Sequence, residues 1–129
     1  MTAAELAQAQ LDAYNARDIE AFLACYCDDV KIYNYPDELV LQGQEAMRTR
    51  YSARFADPDL YAHVVNRIVQ DDCAIDHEVI RVNLPGGLGV MHAIAIYRVQ
   101  HGKIAEVRFI QGAKEVGASL PPGCGPSAK

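Results

Sequence analysis

The stretch that decides the fold runs from Leu60 to Gln111. It reads LYAHVVNRIV (60–69), the turn Gln70-Asp71-Asp72, CAIDHEVIRV (73–82), the break Leu84-Pro85-Gly86-Gly87, GVMHAIAIYRV (89–99), the turn Gln100-His101-Gly102, and KIAEVRFIQ (103–111). Each segment is rich in β-branched and aromatic residues and is bounded by turn-forming ones. Strands this long with such short connections pair as an antiparallel meander.

Upstream of the meander the pattern is helical. Thr2-x-x-Glu5 is a capping box, and the Ala/Leu/Gln-rich run behind it predicts a helix over residues 3–16, with Leu6, Ala9, Ala13 and Tyr14 on one stripe. Asp18 caps a second helix whose apolar face is Ile19, Phe22, Leu23 and Tyr26, ended by Asp28-Asp29. Residues 30–35 (VKIYNY) are β-rich and closed by Pro36. Gly43 opens a third helix to Ala56, with Met47, Tyr51 and Phe55 stacked and Arg48, Arg50 and Arg54 around them as a solvated face.

Three helices before a long meander predict an α+β fold: a cone-shaped, curved antiparallel sheet, a partial barrel, with the helices closing it. Three short helices leave space inside a bent sheet, and that space becomes a pocket. Residues 1–112 form the cone domain, and the Pro/Gly-rich segment 113–129 is expected to be a mobile tail.

Strand alternation names the inward side chains. Cys73, Ile75, His77, Val79 and Arg81 form the set that begins more apolar, which places His77 at mid-strand facing the pocket. On the last segment Ala105, Val107, Phe109 and Gln111 face in, because the other set carries Glu106 and Arg108. Both faces of 89–99 are apolar, so the outer one is expected to bury against a second copy in a homodimer.

The chain has 129 residues, a formal net charge of −5 and no basic run, which argues against nucleic-acid and membrane-surface partners. MTAAELAQAQ has neither the basic nor the apolar part of a signal peptide, and the expected location is cytoplasmic. Cys25, Cys27, Cys73 and Cys124 lack zinc-site spacing and read as buried thiols. No metal or cofactor is expected.

The run Tyr14-Asn15-Ala16-Arg17-Asp18-Ile19-Glu20-Ala21-Phe22, continuing into Tyr26-Cys27-Asp28-Asp29-Val30, resembles the opening of the nuclear transport factor 2-like superfamily. The Gly43-Gln44-Glu45-Ala46-Met47 helix start and the His101–Val107 hairpin resemble the same group, its SnoaL-like and ketosteroid-isomerase-like domains included. The resemblance implies the cone fold and leaves the activity open. Ketosteroid isomerase would need a carboxylate at Asn34, a phenol near Gln10 and an acid near Ala95; only its supporting tyrosine has a match, in Tyr51. An epoxide hydrolase or SnoaL-type cyclase would want an acid near Phe109, where none stands.

The candidate catalytic residue is His77, as a pocket-lining general base, or else a semi-buried structural histidine. The candidate ligand-binding residues are Asn34, Tyr51 and Gln111 as neutral hydrogen-bonding groups, with Tyr14, Val107 and Phe109 as apolar lining. Two readings follow. One is a cofactor-independent isomerase, dehydratase or cyclase acting on a small apolar molecule. The other is a non-catalytic ligand-binding or dimeric interaction module.

Overall fold

The structure, a computed structural model, describes residues 1–121. Helix α1 (Ala3–Ala16) starts at the Thr2 capping box: Thr2 Oγ1 accepts from the Glu5 amide at 3.1 Å and Glu5 Oε1 accepts from the Thr2 amide at 2.8 Å. It stops at Arg17, in the left-handed region at φ 56°. The residues around this stop are tied to the sheet. The Asn15 side chain donates to the Ala62 carbonyl and accepts from its amide, and the Arg17 guanidinium donates to the carbonyls of Asp57, Pro58 and Leu60. The Tyr14–Asp18 run is therefore a corner brace as well as a helix end.

Helix α2 (Ile19–Leu23) is one turn long, capped by Asp18 accepting from the Ala21 amide. It ends earlier than its apolar face suggests, and Tyr26 and Cys27 belong to strand β1 (Tyr26–Asn34). The cause is tertiary. Gln44 Nε2 donates to the carbonyls of Leu23, Tyr26 and Cys27, and the Ile104 amide donates to the Cys25 carbonyl. Those bonds replace the helical ones that would have continued α2. A short, largely exposed strand β2 (Glu38–Gln42), absent from the sequence-based expectation, precedes α3 (Gln44–Phe55).

The meander follows as β3 (Tyr61–Gln70), β4 (Cys73–Leu84), β5 (Gly87–Gln100) and β6 (Lys103–Val116). The six strands form one curved, unclosed sheet in the order β2-β1-β6-β5-β4-β3. All pairings are antiparallel except β1–β6, which is parallel. β6 runs to Val116, past the boundary expected at residue 112. Gly89 permits this: a Cβ there would lie 2.3 Å from the Glu115 carbonyl oxygen and 2.8 Å from Val116 Cα. Cys124 and the last part of the expected tail, 122–129, lie outside the described residues. Cys25, Cys27 and Cys73 are free thiols.

The core lies between helices and sheet. Leu6, Phe22, Ile32, Met47, Leu60, Ile104 and Val107 are almost fully buried there. Phe22 is the hub of an aromatic group, with ring centroids 4.7 Å from Tyr51, 5.0 Å from Tyr26 and 5.4 Å from Phe55. No helix among the described residues is long and apolar enough to cross a membrane.

Candidate functional site

The two faces of β4 are the reverse of the expectation. Ala74, Asp76, Glu78, Ile80 and Val82 are buried towards the helices, while His77 is exposed and pairs across the outer face with Asn66 and Ile94. Two acids on a strand read as a solvated set only if nothing inside can accommodate them. Here β3 supplies Arg67, which donates to both oxygens of Asp76 at 2.6 and 3.0 Å, and Asp76 has no exposed surface. With Asp76 paired, the strand turns its acidic set inward. His77 is thereby excluded as a pocket-lining base.

A cavity of about 250 Å³ remains between α1, α3 and the sheet. Its inner part is made by Gln10, Tyr26, Glu78 and Tyr97, its wall by Tyr14, Phe22, Tyr51, Met91 and Phe109, and Arg50, Arg54, Gln111 and Lys114 also border it. Tyr14, Tyr51, Phe109 and Gln111 all border this cavity. Two expected lining residues are not. Asn34 is turned to β2, donating to Glu38 Oε1 at 2.9 Å, because the Asn34–Glu38 pair closes the β1–β2 ladder. Val107 is wholly buried in the core rather than open to the cavity.

Glu78 is the unusual group. It is 5% exposed, and its protein hydrogen bond is a 3.5 Å contact from the Tyr97 hydroxyl to Oε2. No cation pairs with it among the described residues. No buried side-chain oxygen or nitrogen among those residues lacks a partner, so Oε1, which accepts no bond, is open to the cavity. Burial first, and the Asp76 charge second, push the Glu78 carboxyl up to about 8. It is mostly protonated at neutral pH, with a minor ionised fraction.

Around it stand four phenols. Burial raises Tyr14, Tyr26, Tyr51 and Tyr97 above the ordinary tyrosine range, so all four are neutral. The Tyr26 hydroxyl donates to Gln10 Oε1 at 3.3 Å, and Gln10 Nε2 donates to the Ala7 carbonyl at 2.9 Å. The Tyr51 hydroxyl has no such partner among the described residues, and Tyr51 lines the cavity. An uncharged acid and neutral phenols on a largely buried cavity wall can hydrogen-bond an oxygen of a bound molecule and exchange a proton with it. Of the other histidines, His92 lies at the bulge between β5 and β6 and bonds Glu115 at 2.5 Å, and His63 borders a separate open groove. Among the described residues no group of three or more His, Cys, Asp or Glu side chains is arranged for a metal ion.

Glu78, Tyr97 and Tyr26 were not anticipated from sequence. The signal was present as two acids two residues apart on a strand, Asp76 and Glu78, with Arg67 on the preceding one.

Comparison with known proteins agrees with this architecture. The family model described as the SnoaL-like domain matches residues 7–107. The chain belongs to the SnoaL-like domain family. Among curated proteins no significant match is found. Solved structures share the fold of this SnoaL-like domain. An uncharacterised cystatin-fold protein from Novosphingobium aromaticivorans is 25% identical, with a TM-score of 0.76 over 85% of this chain and 98% of that one. A computationally designed 17-OHP binder is 23% identical, with a TM-score of 0.75 over 86% and 92%. RV0760c from Mycobacterium tuberculosis, in complex with estradiol-17beta-hemisuccinate, is 24% identical, with a TM-score of 0.72 over 83% and 91%. The latter two likenesses are ones of fold. The matched ketosteroid-isomerase positions remain empty of acid here, but Ala95 pairs in register with Asp76 and Ala93 with Glu78, so the carboxyls stand one strand away.

Proposed function

We propose that this SnoaL-like domain binds a small, mainly apolar molecule in its cone pocket and exchanges a proton with it through Glu78, as a cofactor-independent isomerase or lyase-type enzyme. One observation carries the reading: a buried carboxyl without a counter-cation among the described residues, one oxygen open to an aromatic-walled cavity. A structural acid of this kind would be paired, as Asp76 is. A carboxyl titrating near 8 has an ionised fraction at neutral pH that can take a proton, and a protonated majority that can give one.

In the forward step ionised Glu78 takes a proton from the carbon next to a carbonyl. The C–H electron pair becomes the enolate double bond, and the negative charge moves to oxygen. A neutral phenol, Tyr51 or Tyr97, donates a hydrogen bond to that oxygen. Protonated Glu78 then returns its proton to a second carbon, giving an isomer, or to a departing hydroxide, giving water and an alkene. The RV0760c structure is a complex with estradiol-17beta-hemisuccinate, which supports a ring compound as the occupant of this shape of pocket.

The outer face of the sheet supports a homodimer. Ile68 and Ile75, Ile75 and Ile96, and Ile94 and Ile110 are paired in register there, and Ile68 is 59% exposed.

The test is deuterium uptake from D2O into cyclic enones and tetralones, followed by NMR, with Glu78→Gln as the comparison. The expected result is uptake by the wild type and a roughly hundredfold or greater loss in the variant. Equal uptake by both proteins contradicts the reading. So does the absence of uptake into any ketone that calorimetry shows to bind.

A further inference from the structure

The arginines of this chain divide sharply. Arg48 is paired with Glu20, Arg67 with Asp76, Arg98 with Glu106, and Arg108 with Glu106 and Asp37. Arg17 is spent on three carbonyls and Arg81 on that of Asp59. Among the described residues, Arg50 and Arg54 alone of the arginines have neither a carboxylate nor a backbone carbonyl, and both line the cavity. Arg54 lies beside the Tyr14 phenol. Lys114, the third basic side chain on the cavity, comes from β6 and also has no acidic partner among the described residues.

This distribution is unexpected on charge alone. The chain has 17 acidic residues against 12 basic ones, so carboxylates are in excess, yet among the described residues none pairs with these three cations. Arg50 and Arg54 are also four residues apart on α3, where like charges repel. The position of Arg54 in the last turn suits the helix dipole, but the dipole accounts for neither Arg50 nor Lys114. What the three share is the cavity.

We propose that the molecule bound in this pocket is a compact organic anion of one or two rings. Its carboxylate sits among Arg50, Arg54 and Lys114, and its ring enters towards Glu78. The proposal rests on the pocket reading above and adds the class and orientation of the ligand. Polarity sets the orientation: the buried part of the lining, Gln10, Tyr26, Glu78 and Tyr97, offers a carboxylate no cation, whereas the less buried Arg50, Arg54 and Lys114 attract it. Guanidinium groups favour it further, because they bind carboxylates through paired N–H donors. Size sets the limit: about 250 Å³ lies below the ~300 Å³ at which pockets for drug-sized molecules begin.

Calorimetry with 2-naphthoate, its neutral analogue methyl 2-naphthyl ketone, and 2-naphthyl phosphate decides the matter. The wild type should prefer naphthoate to the ketone by roughly tenfold or more, with the preference shrinking as salt is raised. In the double variant Arg50→Gln/Arg54→Gln the preference should vanish while the ketone binds as before. Tighter binding of the phosphate than of naphthoate overturns the carboxylate assignment. Equal wild-type binding of naphthoate and ketone, or an intact preference in the double variant, overturns the anion proposal and leaves the pocket reading standing. Binding of neither naphthoate nor ketone overturns both. The Glu78→Gln variant should keep the anion preference, which separates this proposal from the proton-transfer reading.

Discussion

Asp76 and Glu78 lie on the same face of β4, but of the two only Asp76 is paired with a cation among the described residues. Arg67 donates to both oxygens of Asp76, whereas Glu78 has the Tyr97 hydroxyl at 3.5 Å and an open oxygen. One acid is neutralised by a pair and the other by keeping its proton. That difference makes Asp76 architecture and leaves Glu78 for the proposed chemistry.

The protonated state of Glu78 has a stability consequence. Its folded value, about 8, lies above the ordinary 4.5, so across that window the folded chain holds a proton that the unfolded chain has released. The contribution is present in full below the lower value and gone above the upper one, falling by up to ~1.4 kcal/mol per pH unit between them. Glu78→Gln removes this dependence. Urea unfolding at pH 5 and pH 8.5 should show the variant gaining on the wild type at the higher pH. Parallel pH profiles for the two proteins would contradict it.

The Arg67–Asp76 pair should behave as a unit. Removing Arg67 alone, as Arg67→Met, strands a buried carboxylate and should cost about 3–5 kcal/mol in chemical unfolding. The double variant Arg67→Met/Asp76→Leu should recover most of that loss. A double variant no more stable than Arg67→Met would show that the pair is not what keeps Asp76 inside.

His77, although the most reactive-looking residue of the meander, is outside the cavity. His77→Ala should leave ligand binding unchanged and move stability by no more than ~0.5 kcal/mol. A loss of binding in calorimetry would contradict the assignment of faces.

The outer face predicts the assembly state. Ile94, paired with His77 and Ile110, lies at the centre of that face. Sedimentation should give twice the 14.2 kDa chain mass for the wild type and a single chain for Ile94→Lys. A monomeric wild type at micromolar concentration would dismiss the dimer.

Much of the architecture was legible because periodicity and turn chemistry are local. The Thr2 box, the helix over 3–16, the α3 start at Gly43 and the four strands of the meander follow from neighbouring residues alone. What was illegible depends on partners distant in sequence. The end of α2 is imposed by Gln44, and β2 is a short edge strand with almost no buried side chain. The face of β4 is set by Arg67 across the sheet, so alternation yielded two sets and the apolar count chose the wrong one. The basic side chains of α3 read as solvated because a sequence shows charge but not which charges lack counter-ions. Among the described residues, only Arg48 of Arg48, Arg50 and Arg54 pairs with an acid.

The most direct test of the account is the titration of Glu78 itself. Carboxyl carbons labelled with ¹³C at glutamate, with Glu78→Gln identifying the resonance, can be followed by NMR from pH 4 to pH 10 in the ligand-free protein. The account predicts a single carboxyl that stays protonated through neutrality and titrates near 8. A Glu78 resonance that titrates in the ordinary carboxylate range, near 4.5, would contradict it.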